Sequence, residues 1–315
     1  MAIVQPHEMN FTGKNFSMII AGSPGVGKTT LAMSAPNPVL IDFDKGVSRV
    51  KAQHRKTTAM VNTYEELLQD MESDAIKNAE TLVIDTGGSF ITYLQDWAVR
   101  KDAKLARAKL QMFGVVKGEF ANFTNKLQYV MRKNIIYVFH TTEEKKGDII
   151  QQRLLCEGSA RNTVWQPCDL GAYLFVDGDQ RYLGFTPTEE YFAKGCYGIS
   201  GRVKVPALTE KDENNFLTSL FEKAKQNIAD ESKVFDGMRE KYDNAMSQIA
   251  DIIATVEDAK TATEAAGMMQ KVEHALTSQT EARDMFSKRT AELGLKWDKG
   301  AKEYVAISDN AQPAQ

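Results

Sequence analysis

The chain has 315 residues, of which 43% are hydrophobic and 26% are charged, a balance that is ordinary for a folded globular protein. Its formal net charge of −3 excludes an overall positive field that would attract nucleic acid. Its three cysteines and four histidines show neither metal-binding spacing nor a disulfide framework. Because the N-terminus lacks signal-peptide features and no apolar run approaches the roughly 18 residues that span a bilayer, we expect a cytoplasmic protein without membrane association.

Apolar runs alternate with helical segments along the first half of the chain. Short apolar runs are typical of buried parallel strands, and five are predicted, at 16–22, 39–44, 58–62, 81–85 and 134–140. Helices are predicted at 28–35, at 63–73 with Thr63 as N-cap, and at 90–133 with a break near Gly114. This alternation predicts an α/β fold, in which a mostly parallel sheet has helices on both faces.

The segment GSPGVGKT, residues 22–29, follows the first predicted strand and opens the first predicted helix. It fits the pattern GxxxxGK[ST], in which backbone N–H groups surround the phosphates of a nucleotide. Lys28 is expected to reach the β- and γ-phosphates of ATP, and the Thr29 hydroxyl is expected to bind Mg²⁺. The residues predicted to bind ATP are Ser23, Pro24, Gly25, Val26, Gly27, Lys28, Thr29 and Thr30.

Acidic and imidazole side chains end the neighbouring predicted strands, where an α/β sheet gathers its functional residues. Asp85 is the expected second Mg²⁺ ligand, with a helix N-cap as its alternative role. Asp42 and Asp44 would point to the same side of one strand, and Asp44, which lies further out, is the better candidate to activate water. For both aspartates, the alternative is that the carboxylate caps the next helix or is simply solvated. His140 is either a γ-phosphate sensor or simply a hydrogen-bonded residue. Together, the residues predicted to take part in catalysis are Lys28, Asp44, Asp85 and His140.

The sequence changes character after His140. Residues 141–163 are polar and predict a loop or hairpin, and residues 170–187 predict two strands joined at 177–179. Beyond about Thr209, an apolar stripe from Phe235 to Val256 and a second helix at 264–293 predict an antiparallel helical hairpin, closed by a short β-hairpin. The predicted divisions are an ATPase core at 1–207, a helical extension at 208–307 and a disordered tail at 308–315.

This order of elements resembles the RecA core: a phosphate-binding strand, the VLIDFD strand, the LVIDT strand, and a fifth strand with a polar end. More narrowly, residues 15–185 resemble the small phage-encoded RecA-like ATPases of recombination modules, the Sak-four type of phage nucleotide-binding protein. The resemblance implies a RecA-like P-loop ATPase whose turnover is stimulated by DNA. It places Asp44 at the position of the catalytic carboxylate and His140 at that of the γ-phosphate sensor. The family usually has glutamate where this chain has Asp44, a difference that bears on the rate of hydrolysis.

The resemblance also implies partners. Proteins of this family contact single-stranded DNA through the segment after the fifth strand, here 141–163, with the basic residues Lys145, Lys146, Arg153 and Arg161. They assemble as rings or filaments, in which a basic residue such as Arg153, Arg161 or Arg181 would act on a neighbouring subunit's nucleotide. The implied function is annealing or strand pairing in phage DNA recombination.

Two further segments bear on partners. Residues 100–111 contain five basic residues and one acidic residue, a pattern that indicates either a phosphate-binding patch or a solvated helix face. The helical extension is an oligomerisation arm, a lid, or a dock for a partner such as a single-strand binding protein.

Two other functions are compatible with a phosphate-binding loop. A P-loop kinase or other small-molecule transferase would need an acceptor pocket and a basic lid. A nucleotide-dependent assembly or regulatory protein would show little turnover, and Asp44 would then not act as a base.

Overall fold

The computed structural model describes residues 11, 13–156, 164–208 and 212–307. These residues form two compact units, one within 13–228 and the other within 229–307. Each unit has its own cluster of buried apolar side chains.

The first unit is built on one sheet. Its strands are β1 (Ser17–Gly22), β2 (Pro38–Asp42), β3 (Thr58–Met60), β4 (Thr81–Asp85), β5 (Asn134–Lys146), β6 (Ile149–Leu154), β7 (Leu170–Asp177), β8 (Gln180–Gly184) and β9 (Arg202–Val205). The strand order is β3-β2-β4-β5-β1-β7-β8-β9, and β6 pairs with the far half of β5. The strands from β3 to β7 in this order are parallel, whereas β8 and β9 add antiparallel pairs at one edge.

Helices cover both faces of this sheet. The first unit contains α1 (Lys28–Ala32), α2 (Tyr64–Asp70), α3 (Asp74–Asn78), α4 (Gly87–Lys101) and α5 (Lys109–Asn125), together with short 3-10 turns at Val47–Arg49, Ala52–His54 and Ala103–Ala106 and a π-helical turn at Lys126–Val130. The long helix α6 (Phe216–Ala254) begins in the first unit and continues into the second, which also contains α7 (Ala259–Met269) and α8 (Ser278–Glu292).

The alternation of side chains along β1 shows why its sequence is apolar throughout. Ile19 packs in a cluster with Leu67, Phe90 and other residues of α2, α4 and α5. Ile20, its neighbour in the strand, packs on the opposite face with residues of α1 and the start of α6, among them Phe221. A strand buried on both faces must be apolar at every position. The predicted α/β fold with helices on both faces is therefore confirmed.

The polar region after His140 is a β-hairpin over the residues that the structure describes. β5 continues beyond the sheet to Lys146, turns at Gly147, and pairs antiparallel with β6. The predicted hairpin at 170–187 is also confirmed, since β7 and β8 pair on either side of Gly178. Residues 157–163, which belong to the segment predicted to contact DNA, lie outside the described residues.

The helical region at 90–133 differs from its prediction. Gly114 lies inside α5, and the break comes earlier, between α4 and α5. Asp102 causes this break, because its carboxylate accepts a hydrogen bond from the Lys104 N–H and starts a 3-10 turn. Thr63 is the N-cap of α2 as predicted, with its hydroxyl accepting from the Glu66 N–H.

The C-terminal region also differs from its prediction. The two units divide between Ile228 and Ala229, inside α6, because the first turns of α6 carry buried apolar residues of the first unit. The second unit is not a two-helix hairpin, because the predicted helix at 264–293 is divided into α7 and α8. The predicted closing β-hairpin is confirmed by the antiparallel pairing of β10 (Leu295–Asp298) with β11 (Glu303–Ala306). The predicted apolar stripe from Phe235 to Val256 is buried from Ala245 onward, whereas Met238 is 46% exposed.

None of the helices in the described ranges combines the length and hydropathy needed to cross a membrane.

Candidate nucleotide-binding site

A cavity of about 190 Å³ lies where the central strands of the sheet end. Parallel pairing aligns Gly22 of β1 with His140 of β5, and Asp42 of β2 with Asp85 of β4. The sheet therefore gathers side chains that are far apart in sequence. The cavity is lined by Gly25, Gly27, Lys28, Thr29, Thr30, Asp44, Gly46, Arg49, Val50, Asp85 and His140.

Two glycines give the loop between β1 and α1 its shape. Gly25 has a φ of 80° and Gly27 a φ of 99°, both in the region that L side chains rarely adopt. Gly27 is also the residue immediately before α1. A loop in this conformation forms a backbone concavity of the kind that binds anions.

The buried Lys28 ammonium has three hydrogen-bond partners. Its Nζ donates to the carbonyl oxygens of Gly22 (2.9 Å) and Ser23 (2.8 Å), and it lies 3.2 Å from Nδ1 of His140. An ammonium has three N–H groups, so this set uses all of them. Burial lowers the pKa of Lys28 to about 8, although the nearby Asp85 carboxylate acts in the opposite direction.

Thr29 and Asp85 form the second pair of the site. The Thr29 hydroxyl donates to Oδ2 of Asp85 at 2.6 Å. Burial raises the pKa of Asp85 to about 6; the Thr29 hydrogen bond lowers it, and the neighbouring Asp44 and Asp42 raise it further. Asp85 is not the N-cap of α4, since that position belongs to Thr86.

This pair fits Mg²⁺, which prefers a small number of protein oxygens and keeps phosphate and water as its other ligands. Over the described residues, no group of three or more His, Cys, Asp or Glu side chains is arranged to hold a metal ion by itself. One hydroxyl and one carboxylate beside a phosphate-binding loop are therefore what the protein offers to the ion.

Asp42 and Asp44 have different surroundings. Asp42 is fully buried, and its two carboxylate oxygens accept the N–H groups of Gly46 (3.0 Å) and Val47 (2.9 Å). It therefore holds the turn after β2 and does not face the cavity. Because β2 ends at Asp42, the strand alternation that would place both carboxylates on one side does not extend to Asp44. Asp44 itself lines the cavity.

A serine that the sequence did not single out holds Asp44. The Ser89 hydroxyl donates to Oδ1 of Asp44, and the Thr86 hydroxyl lies 3.4 Å from the same oxygen. Thr86 is the N-cap of α4 and accepts the Ser89 N–H. The only sequence signal for this contact is that Ser89 follows Thr86 by three residues at the start of a helix.

His140 lies between Lys28 and Asp44. Its Nε2 is 4.0 Å from Oδ2 of Asp44, on the side of the ring opposite the Lys28 contact. Burial lowers the pKa of His140, as do the charges of Lys28 and Arg49, whereas Asp44 raises it. Since an ammonium can only donate, Nδ1 of the neutral ring must accept from Lys28, and the ring proton is then on Nε2, facing Asp44.

A family model described as an AAA domain matches residues 14–197, which is more than half of the chain and contains every residue of this cavity. The chain belongs to the AAA domain family. Together with the phosphate-binding loop and the strand order, this match establishes a P-loop ATPase domain of the RecA-like type, and membership implies that it binds nucleotide.

Other comparisons add little to this assignment. No curated protein matches the chain. Among solved structures, the flagellar accessory protein FlaH from Methanocaldococcus jannaschii is similar at 10% identity and a TM-score of 0.31, covering 61% of this chain and 90% of that one.

Two arginines of the AAA domain lie beside the loop of their own chain. The sequence predicted Arg181 only as a candidate to act on a neighbouring subunit's nucleotide, and it did not single out Arg49. Arg181 Nε donates to the Val26 carbonyl at 3.0 Å, so Arg181 contacts the loop of its own chain. Arg49 lines the 190 Å³ cavity and also a neighbouring one of about 240 Å³. The second cavity is lined by Gly27, Thr30, Leu31, Arg49, Lys51, His54, Leu174, Arg181, Val205, Pro206, Leu208, Asn214 and Phe216.

The other basic residues of the AAA domain that were predicted to bind partners lie in varied surroundings. Arg153 lies 4.2 Å from the centre of the Phe192 ring and 3.6 Å from the Glu144 carboxylate, and Arg161 lies outside the described residues. In the basic segment at 100–111, Arg100 pairs with Glu65 and Lys101 lies over the Trp97 ring. Arg100 and Lys101 are exposed as well, and the other exposed cations in the described parts of these two segments are Lys104, Arg107, Lys109, Lys145 and Lys146.

Proposed function

We propose that this AAA domain hydrolyses ATP with Mg²⁺ and that the bound nucleotide controls its affinity for single-stranded DNA, in annealing or strand pairing during phage recombination. The observation that carries the proposal is the Lys28–His140–Asp44 chain, which lies at the point where β5 leaves the sheet and becomes an exposed hairpin.

The cavities suggest how ATP is held. The loop and Lys28 would bind the β- and γ-phosphates, and Thr29 with Asp85 would hold Mg²⁺, which neutralises charge on the phosphate oxygens. The adjoining 240 Å³ cavity, with Arg49 and Arg181 near the loop and Leu31 and Phe216 in its wall, suits the ribose and base.

Asp44 is the group we assign to water activation. In hydrolysis a water oxygen bonds to the γ-phosphorus, the bond from that phosphorus to the β–γ bridging oxygen breaks, and Asp44 takes a proton from the water. Ser89 restrains one carboxylate oxygen of Asp44, which leaves the other oxygen on the side of His140. A restrained carboxylate at the mouth of the phosphate cavity has the placement that this role requires.

His140 is the group we assign to γ-phosphate sensing. Lys28 gives one of its three N–H groups to His140, and a γ-phosphate would compete for that same group. When Lys28 turns to the phosphate, Nδ1 of His140 loses its donor, so the ring must find a new hydrogen bond. Because His140 directly precedes the hairpin of residues 141–154, this change would be passed to the hairpin.

The end of the hairpin suits single-stranded DNA. Lys145 and Lys146 are exposed beside the turn, and the exposed apolar side chains of Ile149 and Ile150 follow it. Cations neutralise phosphates, and aliphatic side chains such as isoleucine can insert between neighbouring bases. We further propose that the protein works in the cytoplasm as a ring or filament, with a single-strand binding protein as a possible partner.

The decisive experiment measures ATP turnover with and without single-stranded DNA, together with particle size in each nucleotide state. We expect DNA to stimulate turnover and nucleotide to change the size. The double variant Lys145→Glu/Lys146→Glu should lose the stimulation, whereas the matched reversal Lys223→Glu/Lys225→Glu, at exposed positions on α6, should keep it. A nucleotide-dependent size change without turnover would instead support an assembly protein, and absence of DNA binding at low salt with both ATP and a slowly hydrolysed analogue would overturn the proposal.

One observation favours a second candidate, a small-molecule transferase. A cavity of about 300 Å³ shares Asp44 and His140 with the phosphate site and is also lined by Ser89, Thr92 and Cys156. An acceptor bound there would lie next to the γ-phosphate. Turnover that depends on a small hydroxylated compound, and not on DNA, would support this candidate.

A further inference from the structure

The second unit contains a groove of about 690 Å³, larger than the 190 Å³ and 240 Å³ cavities at the nucleotide site. It lies outside the segment that matches the AAA domain family. We refer to it as the C-terminal groove; its lining comes from α7, α8, the segments that follow them, and the β10–β11 hairpin. These residues are Ala266, Met269, Gln270, His274, Gln279, Ala282, Arg283, Phe286, Ser287, Thr290, Ala291, Leu295, Lys296, Trp297 and Tyr304.

The floor of the groove is apolar and well packed. Phe286 and Leu295 are buried, and the Tyr304 ring meets the Phe286 ring edge-on at 5.6 Å. Trp297 meets Tyr304 edge-on at 5.1 Å, yet it remains 44% exposed. An exposed tryptophan above a buried aromatic floor is typical of a surface that receives an apolar group.

The charge of the groove differs from that of the unit around it. Residues 229–307 contain 15 Asp and Glu against 11 Lys and Arg, so the unit is acidic. The groove lining nevertheless contains Arg283, Lys296 and His274 and no carboxylate. Within residues 212–307, neither Arg283 nor Lys296 forms a salt bridge, although Lys241 and Arg289 in the same unit do. The Lys296 charge also acts on Asp298 of the same strand, but neither cation is held in an ion pair within that range, and this excess of positive charge favours an anionic ligand.

The shape of the groove decides between a peptide and a nucleic acid. Non-specific binding of single strands relies on successive bases stacking on open ring faces. Here Phe286 is buried and Tyr304 is half-buried and covered edge-on, so Trp297 alone among these rings is largely open. An apolar floor with two cations in the lining instead suits a chain that places one bulky apolar side chain on that floor and carries carboxylates beside it.

We propose that the C-terminal groove binds an acidic peptide segment of a partner protein, with a bulky apolar side chain seated on Phe286 and Trp297 and carboxylates paired with Arg283 and Lys296. The proposal is independent of the ATPase mechanism, because none of these residues belongs to the nucleotide site.

The test uses the full-length protein and a displayed library of random linear peptides. Peptides are selected on the natural chain and counter-selected on the variant Arg283→Glu/Lys296→Glu. We expect the enriched peptides to combine several Asp or Glu with Phe, Trp, Leu or Ile. A labelled synthetic copy should lose at least about tenfold in affinity, by fluorescence anisotropy, when its apolar residue is changed to Ala or when the double variant replaces the natural chain.

A matched variant controls for general charge effects. Lys288→Glu/Lys299→Glu reverses one cation on α8 and one in the turn between β10 and β11, and neither lysine lines the groove. This variant should bind the peptide as the natural chain does, and both double variants should unfold at the same temperature as the natural chain. The proposal is overturned if no acidic peptide with an apolar residue is enriched, if both double variants bind equally well, or if an oligonucleotide and not a peptide depends on Arg283 and Lys296.

Discussion

Lys28 is a buried cation whose three donors all have acceptors in this structure, so its N–H groups are satisfied before any nucleotide binds. The same three donors are available to phosphate oxygens, which accept charge-assisted hydrogen bonds. At the scale of single residues, we therefore expect Lys28 to exchange its present acceptors for phosphate oxygens when nucleotide binds, so no other cation has to be uncovered.

The change Lys28→Ala should weaken ATP binding by about 10- to 100-fold, because charge-assisted hydrogen bonds contribute about 1.5–3 kcal/mol each. Titration of a fluorescent ATP analogue measures this effect. Lys56→Ala, at an exposed position, should bind the analogue normally. Equal affinities for the two variants would contradict the role given to Lys28.

Ser89→Ala should lower kcat and leave the affinity for ATP unchanged, because Ser89 contacts Asp44 and does not line the phosphate cavity. Asp44→Asn should lower kcat by about 10²- to 10⁴-fold, the usual size of a general-base contribution. Steady-state kinetics with a separate binding titration distinguish the two parameters.

The control and the double variant test the mechanism further. Thr92→Ala, also on α4, should keep the full rate of ATP hydrolysis, since the Thr92 hydroxyl donates to the Gly88 carbonyl and not to Asp44. If Ser89 acts through Asp44, adding Ser89→Ala to Asp44→Asn should cause little further loss. A fully active Ser89→Ala variant would show that the contact with Asp44 has no role in turnover.

At the scale of elements, β5 has two parts with different surroundings. Residues up to Phe139 are buried in the sheet, whereas residues beyond His140 pair with β6 outside it. A single strand thus joins the phosphate cavity to an exposed hairpin. This continuity is the physical route that the sensing proposal uses.

His140→Ala should leave DNA affinity nearly the same with and without ATP, because alanine has neither an acceptor for Lys28 nor a donor for Asp44. Thr142→Ala, in the same strand, should keep the difference between the two nucleotide states. Fluorescence anisotropy of a labelled oligonucleotide at low salt measures both. A full nucleotide response in His140→Ala would rule out His140 as the sensor.

The start of α6 belongs to the first unit. Phe221 is buried and lies 5.3 Å from the Phe16 ring, and the Leu217 N–H donates to the Ser34 hydroxyl. Phe221→Ala should therefore reduce the free energy of unfolding of this unit by about 3–5 kcal/mol. Val234→Ala, further along α6 at an exposed position, should change it little. Denaturant unfolding followed by hydrogen exchange of the sheet amides measures the difference.

At the scale of the whole molecule, the chain has two units, each with its own core. Phe286→Ala would leave a cavity among the buried residues of the second unit, where Phe286 packs with Ala282, Leu295 and their neighbours. We expect faster hydrogen exchange within residues 245–306 and unchanged exchange in β1, β4 and β5. Equal acceleration in both units would show that they unfold as one.

Much of the site could be predicted because its parts are local. The loop at 22–29, Asp85 and His140 are each marked by a strand of a few apolar residues followed by a characteristic residue. Ser89 and Arg181 could not be found in this way. Ser89 reaches Asp44 from 45 residues away in sequence, and Arg181 reaches Val26 from 155 residues away, so their contacts depend on how the strands are ordered.

The sequence by itself determined the alternation of strands and helices, the phosphate-binding loop and the acidic ends of the strands, because backbone propensity and apolar periodicity act over a few residues. Only the tertiary structure decided which groups hold Asp42 and Asp44, which arginine contacts the loop, and where α6 passes from one unit to the other. Those outcomes depend on hydrogen bonds and packing between segments far apart in the chain, for which neighbouring residues carry no signal. The sequence favoured Asp44 over Asp42 only because Asp44 lies further along the chain, whereas the structure shows the physical reason: the N–H groups of Gly46 and Val47 occupy Asp42, and Asp44 lines the cavity.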